Sequence, residues 1–404
     1  MPKLAPKPFF VLHVIWHPAF TKGKKLAEVL FNHYQADWTN RIGAGIGVPV
    51  RQHCGPEGTP TVPSSIDLDE SETAAIVVLV DDVFAADPKW VALFQGLSKK
   101  ASKKKYSHIV FPVVFSDEAL HKLQTSTQAI RWSEWRKDKN SEKRVKLLAH
   151  LTYQFSRMLR TYLETLKHPA ADDKMLESYL EKVRVFLSHS KHDPIGESLA
   201  LAIRKYIQDN LGMASFFDAI EIAPGLQFDE VLSHCVRRSA ILALQTDSFS
   251  TREWCRREIL EAKLYGKPIV VANCLVDREE RGFPYLGNVP VIRMNPSENK
   301  RIVHVISRLL DEVFKDFVWE CQTLLYRRKK STVEFISSPP ELLTLIRYTE
   351  AGADGKFRAV PKTIVYPDPP LSKEEELLFE KLVPGTDVKS YQQWQSSLLA
   401  TAGA

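Results

Sequence analysis

Apolar positions along the chain follow two periods, and the two periods take turns. Phe10 to Trp16 and Ala75 to Val80 are short apolar-rich runs of the kind that form strands buried on both faces. Shorter runs predict further strands at Val48 to Gln52, Ile109 to Phe115 and Ala129 to Trp132. Between them, apolar residues three and four apart predict helices over Lys22 to Tyr34, Pro88 to Leu97 and Glu142 to Leu163. Strands that are apolar throughout cannot face water, so this alternation predicts a parallel sheet covered by helices on both sides.

The order returns after residue 180. Strands are predicted at Arg184 to Leu187, Ala214 to Phe217, Ala240 to Leu244, Pro268 to Ala272 and Pro290 to Arg293. Helices are predicted at Ile195 to Gln208, Gln227 to Val236, Thr251 to Tyr265 and Lys300 to Val318. Asp82-Val83-Phe84 followed by Trp90 pairs with Asp247-Ser248-Phe249 followed by Trp254, the pattern of a duplicated domain. The expected division is a first domain at 1–167, a linker at 168–182, a second domain at 183–326 and a small C-terminal α/β extension at 327–404. The extension contains a strand at Thr363 to Tyr366 and a charged helix at Lys373 to Leu382. It is too short for a core of its own and is expected to pack on a neighbour.

In a doubly wound sheet, ligands bind beyond the carboxyl ends of the strands. In the second copy those ends carry Ser188-His189-Ser190-Lys191-His192-Asp193, then Asp218 with the loop Ile220 to Gly225, then Gln245 to Phe249. Ser250, with Glu253 three residues on, predicts a capping box for the next helix. Trp254 and Glu258, four apart on that helix, would place an aromatic plane and a carboxylate on one wall. Such a wall suits a flat ring beside a developing cation.

These stretches resemble the Toll/interleukin receptor (TIR) domain family over about Lys182 to Trp319. The resemblance rests on Val185 to Ser190, on Phe217-Asp218 with the Pro224-Gly225 turn, and on Phe249 through Glu258. It implies two flavodoxin-like doubly wound domains, TIR-like then TIR, and a bacterial type of NAD+ glycohydrolase. Glu258 would be the catalytic carboxylate, with Trp254, Ser188, His189, Phe217 and Asp218 binding substrate. NAD+ would be a substrate, with no cofactor required, and the carboxylate would steady an oxocarbenium-like ribose. The resemblance further implies an oligomer formed through the TIR domains, an activating partner and a role in antiviral defence or toxin signalling. A TIR scaffold without chemistry is the alternative. The first copy has Phe94 four residues after Trp90, and Trp16-His17-Pro18 in place of the Ser-His-Ser box, so it is expected to be a degenerate TIR-like domain.

Charge narrows the picture a little. With 55 Lys plus Arg against 49 Asp plus Glu in 404 residues, the net +6 is too small for a dedicated nucleic-acid binder. Lys99 to Lys105 is the one run that would support such binding, and a solvated loop is its default reading. Five scattered cysteines without a C-x-x-C pair predict reduced thiols and no metal site. No apolar run approaches the length of a membrane span, so a cytoplasmic protein is expected.

Overall fold

A computed structural model describes residues 7–35, 46–55, 61–63, 65–123, 125, 127–168, 177, 179–210, 214–217, 228–279, 281–295, 301–327, 333–346 and 361–403. The chain divides into two compact units, Met1–Glu181 and Lys182–Ala404. It is an α/β protein, and its described residues form three parallel sheets.

The first unit has five strands, β1 (Phe10–Trp16), β2 (Val50–His53), β3 (Thr73–Val80), β4 (His108–Val114) and β5 (Ile130–Arg131). They pair in parallel in the order β2-β1-β3-β4-β5. Every residue of β1 and β3 is buried, which is why these strands read as apolar runs. Helices α1 (Thr21–Tyr34) and α5 (Asn140–Lys167) cover one face, where Phe155 packs on Phe10, Tyr34 and Phe111. Helices α2 (Asp82–Ala86) and α3 (Pro88–Lys103) cover the other, burying Phe84, Trp90, Phe94 and Leu97 against Ile76, Val78 and Val80. Asp81 and Asp87 begin these helices by accepting from Phe84 N and Lys89 N, and Pro88 needs no partner at the first turn. A further helix, α4 (Asp117–Leu123), follows β4.

The second unit repeats the plan. Strands β6 (Arg184–Ser188), β7 (Ala214–Phe217), β8 (Ala240–Gln245), β9 (Ile269–Asn273) and β10 (Val291–Arg293) pair in parallel in the order β7-β6-β8-β9-β10. They alternate with α6 (Pro194–Asn210), α7 (Phe228–Arg237), α8 (Glu253–Leu264) and α9 (Ile302–Arg327). Leu232 and Val236 of α7, with Cys255, Ile259 and Ala262 of α8, close over Phe186, Ile241, Ala243 and Val271. The core registers the two units differently from the letters. Cys255 lies six positions after buried Phe249, as Trp90 does after buried Phe84, so the burial pattern matches Trp90 with Cys255 and Phe94 with Ile259. Glu258 therefore corresponds to Leu93.

The C-terminal stretch forms a third parallel sheet of β11 (Val333–Phe335), β12 (Thr363–Tyr366) and β13 (Asp387–Ser390), with helices α10 (Leu342–Ile346), α11 (Lys373–Leu382) and α12 (Tyr391–Gly403). Its two outer strands were not expected: β11 and β13 are short and bury one residue each, Phe335 and Ser390, whereas β12 buries three and carries an apolar run. Aromatic side chains join this sheet to α9: Trp319 and Tyr326 meet Phe335, Tyr391 and Trp394. Lys263 of α8 adds a charged tie to Glu341 at 2.7 Å.

Several histidines of the first unit are buried or partly buried. His13, in the middle of β1, has Nδ1 3.0 Å from His53 Nε2, and its own Nε2 lies 3.6 Å from Glu70, which Arg51 holds at 3.2 Å. Burial, then the neighbouring His53, Arg51 and His108, push the His13 imidazole down to about 3. His150 is pushed down to about 4, by burial first and Lys146 second, and His53 and His108 are also lowered by burial. Each imidazole takes up its proton more readily in the unfolded chain, so this stability is complete above about pH 6.5 and drains away toward the folded values. Between pH 7.5 and 5.0 the loss should be about 2 kcal/mol for each of His13 and His150. Chemical denaturation at the two pH values checks this, and a His13→Asn variant should show the shallower dependence. Equal stability at both would contradict it.

Candidate functional site

The strand order places a natural crevice in the second unit. From β6 the chain passes through α6 to β7 on one side, then through α7 to β8 on the other, and at such a reversal the connections diverge and leave a gap. Ser188 ends β6, with His189 and Ser190 following, while Thr246, Asp247 and Ser248 follow β8.

Asp193 organises this rim. Its Oδ1 accepts from Ile195 N at 3.0 Å and Gly196 N at 3.4 Å, starting α6, and its Oδ2 accepts from the Ser248 hydroxyl at 3.1 Å. The same hydroxyl lies 3.3 Å from Ser190 Oγ, so both loops meet across the crevice. Burial alone would raise the Asp193 carboxyl, yet the Thr246 hydroxyl, the two backbone N–H groups and Ser248 together outweigh it and hold the pKa below the ordinary value. Gly196 is needed for the fit, since a Cβ there would lie 3.2 Å from the Ser190 carbonyl. Asp247 accepts from Val276 N and Asp277 N at 2.9 and 3.1 Å, fixing the loop after β9. Glu279 returns from that loop to accept from Gln245 at 3.0 Å and from Ser250. Glu279 had no sequence signal; its contacts depend on the path of a loop.

The sequence-derived site residues separate into different surroundings. Glu258 is only 3% exposed and accepts a hydrogen bond from the buried Ser188 hydroxyl. Trp254 is 38% exposed, with the Arg257 guanidinium 4.4 Å from its ring. The carboxylate is buried while the indole, on the same helix, faces solvent. His189 is buried with Nδ1 3.1 Å from the Leu187 carbonyl, and its own carbonyl accepts from Cys255 Sγ at 3.4 Å. Phe217 ends β7. Asp218 and the loop Ile220 to Gly225 lie outside the described residues. Ser250 does not cap α8: it sits in a short 3-10 turn, Phe249–Thr251, and α8 starts at Glu253 after Arg252, without a side-chain cap.

Other candidate groups are inert or structural. The Cys274 thiol is buried, with its pKa raised to about 12, by burial first and Asp193 second, so it is no nucleophile. Among the described residues no group of three or more His, Cys, Asp or Glu is placed to hold a metal ion, and no helix is long and apolar enough to cross a membrane. In the lysine run, Lys104 pairs with Asp69, while Lys100 and Lys103 lie in the last turn of α3, where positive charge complements the helix dipole.

No family model matches the chain. No curated protein matches it. Solved structures similar to it include tagatose-6-phosphate ketose/aldose isomerase from Escherichia coli, 10% identical over 80% of this chain and 84% of that one, with a TM-score of 0.19. A protein of Silicibacter pomeroyi DSS-3 assigned as a phosphosugar isomerase is 14% identical over 80% and 88%, with a TM-score of 0.20. The glycotransferase of kitacinnamycin is 11% identical over 80% and 100%, with a TM-score of 0.20. Superpositions this loose establish neither fold nor activity.

The TIR resemblance is corrected by these findings. No family model, TIR or other, matches the chain, and no curated TIR protein or NAD nucleosidase matches it. The NAD+ glycohydrolase, its hydrolase chemistry, the defence role and the TIR scaffold alternative fall with it. The physical reason lies in the boxes themselves. Ser188 at the end of β6 and Glu258 of α8 are tied to each other beneath the surface, a hydrogen bond that fastens a helix to the sheet it covers.

Glu258 accepts from the Ser188 hydroxyl, a bond that fastens α8 to the end of β6. Glu258→Ala should destabilise the second unit by about 1 to 3 kcal/mol by stranding that hydroxyl. Glu258→Gln, which keeps an acceptor, should cost less. Urea unfolding of the two variants beside the parent chain decides it: identical midpoints would mean that the contact is not a structural tie.

Proposed function

We propose that the second unit is a binding module for a small polyhydroxylated ligand, such as a sugar or nucleoside, held in the crevice between the ends of β6 and β8. One observation carries this reading. Asp193, Ser190 and Ser248 converge where the strand order reverses, and Asp193 and Ser248 remain partly open to solvent. An ionised carboxylate flanked by hydroxyls offers acceptors for ligand O–H groups and can rearrange from internal to ligand hydrogen bonds at little cost. Asp247 and Glu279, also partly exposed, extend the acceptor-rich rim along the loop after β9.

In this reading Ser188, His189 and Glu258 act from below as positioning residues. They hold the end of β6 and the start of the following loop at a fixed height. Trp254 belongs to the outer surface of α8.

Calorimetric titration of the full chain with neutral sugars, nucleosides and nucleotides tests the proposal. At least one ligand should bind, and Ser248→Val, which fills the crevice, should weaken it at least tenfold. Asp193→Asn keeps the helix cap and removes the charge, and should weaken it similarly. Binding that both variants leave intact, or no binding across the panel, would overturn the reading.

A further inference from the structure

The second unit carries two exposed faces of opposite character, and neither takes part in the crevice. One lies on the outer side of α8 and the end of α7. Trp254 and Tyr265, 38% and 47% exposed, are each overlaid by a guanidinium, Arg257 at 4.4 Å and Arg237 at 4.1 Å. Leu264 is exposed beside Tyr265. Trp254, Arg257, Glu261 and Leu264 recur every three or four residues and form one stripe along the helix. Tryptophan, tyrosine and arginine are the side chains that most often anchor protein interfaces, and a guanidinium already stacked on a ring loses little freedom when the surface is covered.

The other face belongs to α11. Leu378 and Leu382, one turn apart, are 58% and 51% exposed, and Leu377 beside them is exposed too. No residue of this helix is buried. Its surface is acidic: Glu374, Glu375, Glu376 and Glu380 outnumber Lys373 and Lys381. A capping box of Ser372 and Glu375 fixes its first turn, so the leucines are presented on a formed helix.

From these faces we infer that the chain associates with itself, the acidic leucine face of α11 in one copy docking on the arginine-aromatic stripe of α7 and α8 in the next. Charge complementarity selects the second copy as occupant: carboxylates around the leucines meet guanidiniums around the rings, Arg257 and an Arg237 that also pairs with Glu261 of its own copy at 3.0 Å, and each face covers the apolar side chains of the other. Because the faces differ, the contact is heterologous. It produces rings or open chains instead of a two-fold dimer. This inference is independent of any ligand in the crevice.

Sedimentation of the full chain over a range of concentrations tests it. The mass should rise above that of the monomer with concentration, and high salt should weaken the association, since screening shortens to about 3 Å at 1 M. One variant carries Arg237→Glu with Arg257→Glu, and a second carries Glu374→Lys with Glu380→Lys. Each alone should associate at least tenfold more weakly than the parent. Mixed together they should re-associate, because every reversed face then meets a reversed partner, a rescue that misfolding cannot imitate. A chain that stays monomeric, an oligomer indifferent to both reversals, or a mixture that stays apart would each overturn the inference.

Discussion

The structure depends on one constraint: a strand buried on both faces can satisfy its backbone only through its neighbours in the sheet, and its side chains only through helices on either side. β1, β3 and the apolar length of β8 meet this condition, and the rest of each sheet is arranged around them. Every crossover returns the chain to the same end of the sheet, so the five strands run the same way and their carboxyl ends form one rim. Polar residues excluded from the strands collect there.

The two units fill that rim differently. In the first, His17 follows β1, accepts from Ala19 N at 3.1 Å and packs on Trp90 with ring centres 5.1 Å apart. Asp87 approaches the same imidazole at 3.8 Å. A buried tryptophan therefore occupies space beneath the first rim, whereas the matching position in the second unit is the much smaller Cys255. With less bulk below, Ser190, Asp193 and Ser248 can meet across the gap. One architecture thus has an aromatic closure in one copy and a hydrogen-bonded crevice in the other.

The third sheet shows how a small element becomes stable. Its strands are three or four residues long, too short to build a core alone, and the aromatic residues of α9 complete it. Trp319 and Tyr326 sit near the end of a helix whose earlier turns cover β8 and β9, so a single helix serves both sheets. This leaves α11 at the far side of the small sheet with its leucines in solvent.

Much of the secondary structure was legible in the sequence. β1, β7, β12 and α11 have the predicted bounds, and most other elements differ by a few residues at their ends, where fraying and short turns blur the period. Cys255, Ile259 and Ala262, spaced four and three apart, share the buried face of α8, as helical geometry requires. The meaning of Glu258 was not legible. Its position is consistent both with the exposed Trp254, four residues before it, and with the buried Cys255, three before it, so periodicity alone allows either surrounding. The choice was made by Ser188, seventy residues away, whose hydroxyl meets the carboxylate only once β6 and α8 are packed. The one-residue offset between the units has the same origin, since letters matched Trp90 to Trp254 and only burial matched it to Cys255. Period and composition act locally and determine which segments are strands or helices; which polar groups are hidden, shared or presented depends on contacts between distant segments, and those exist only in the folded chain.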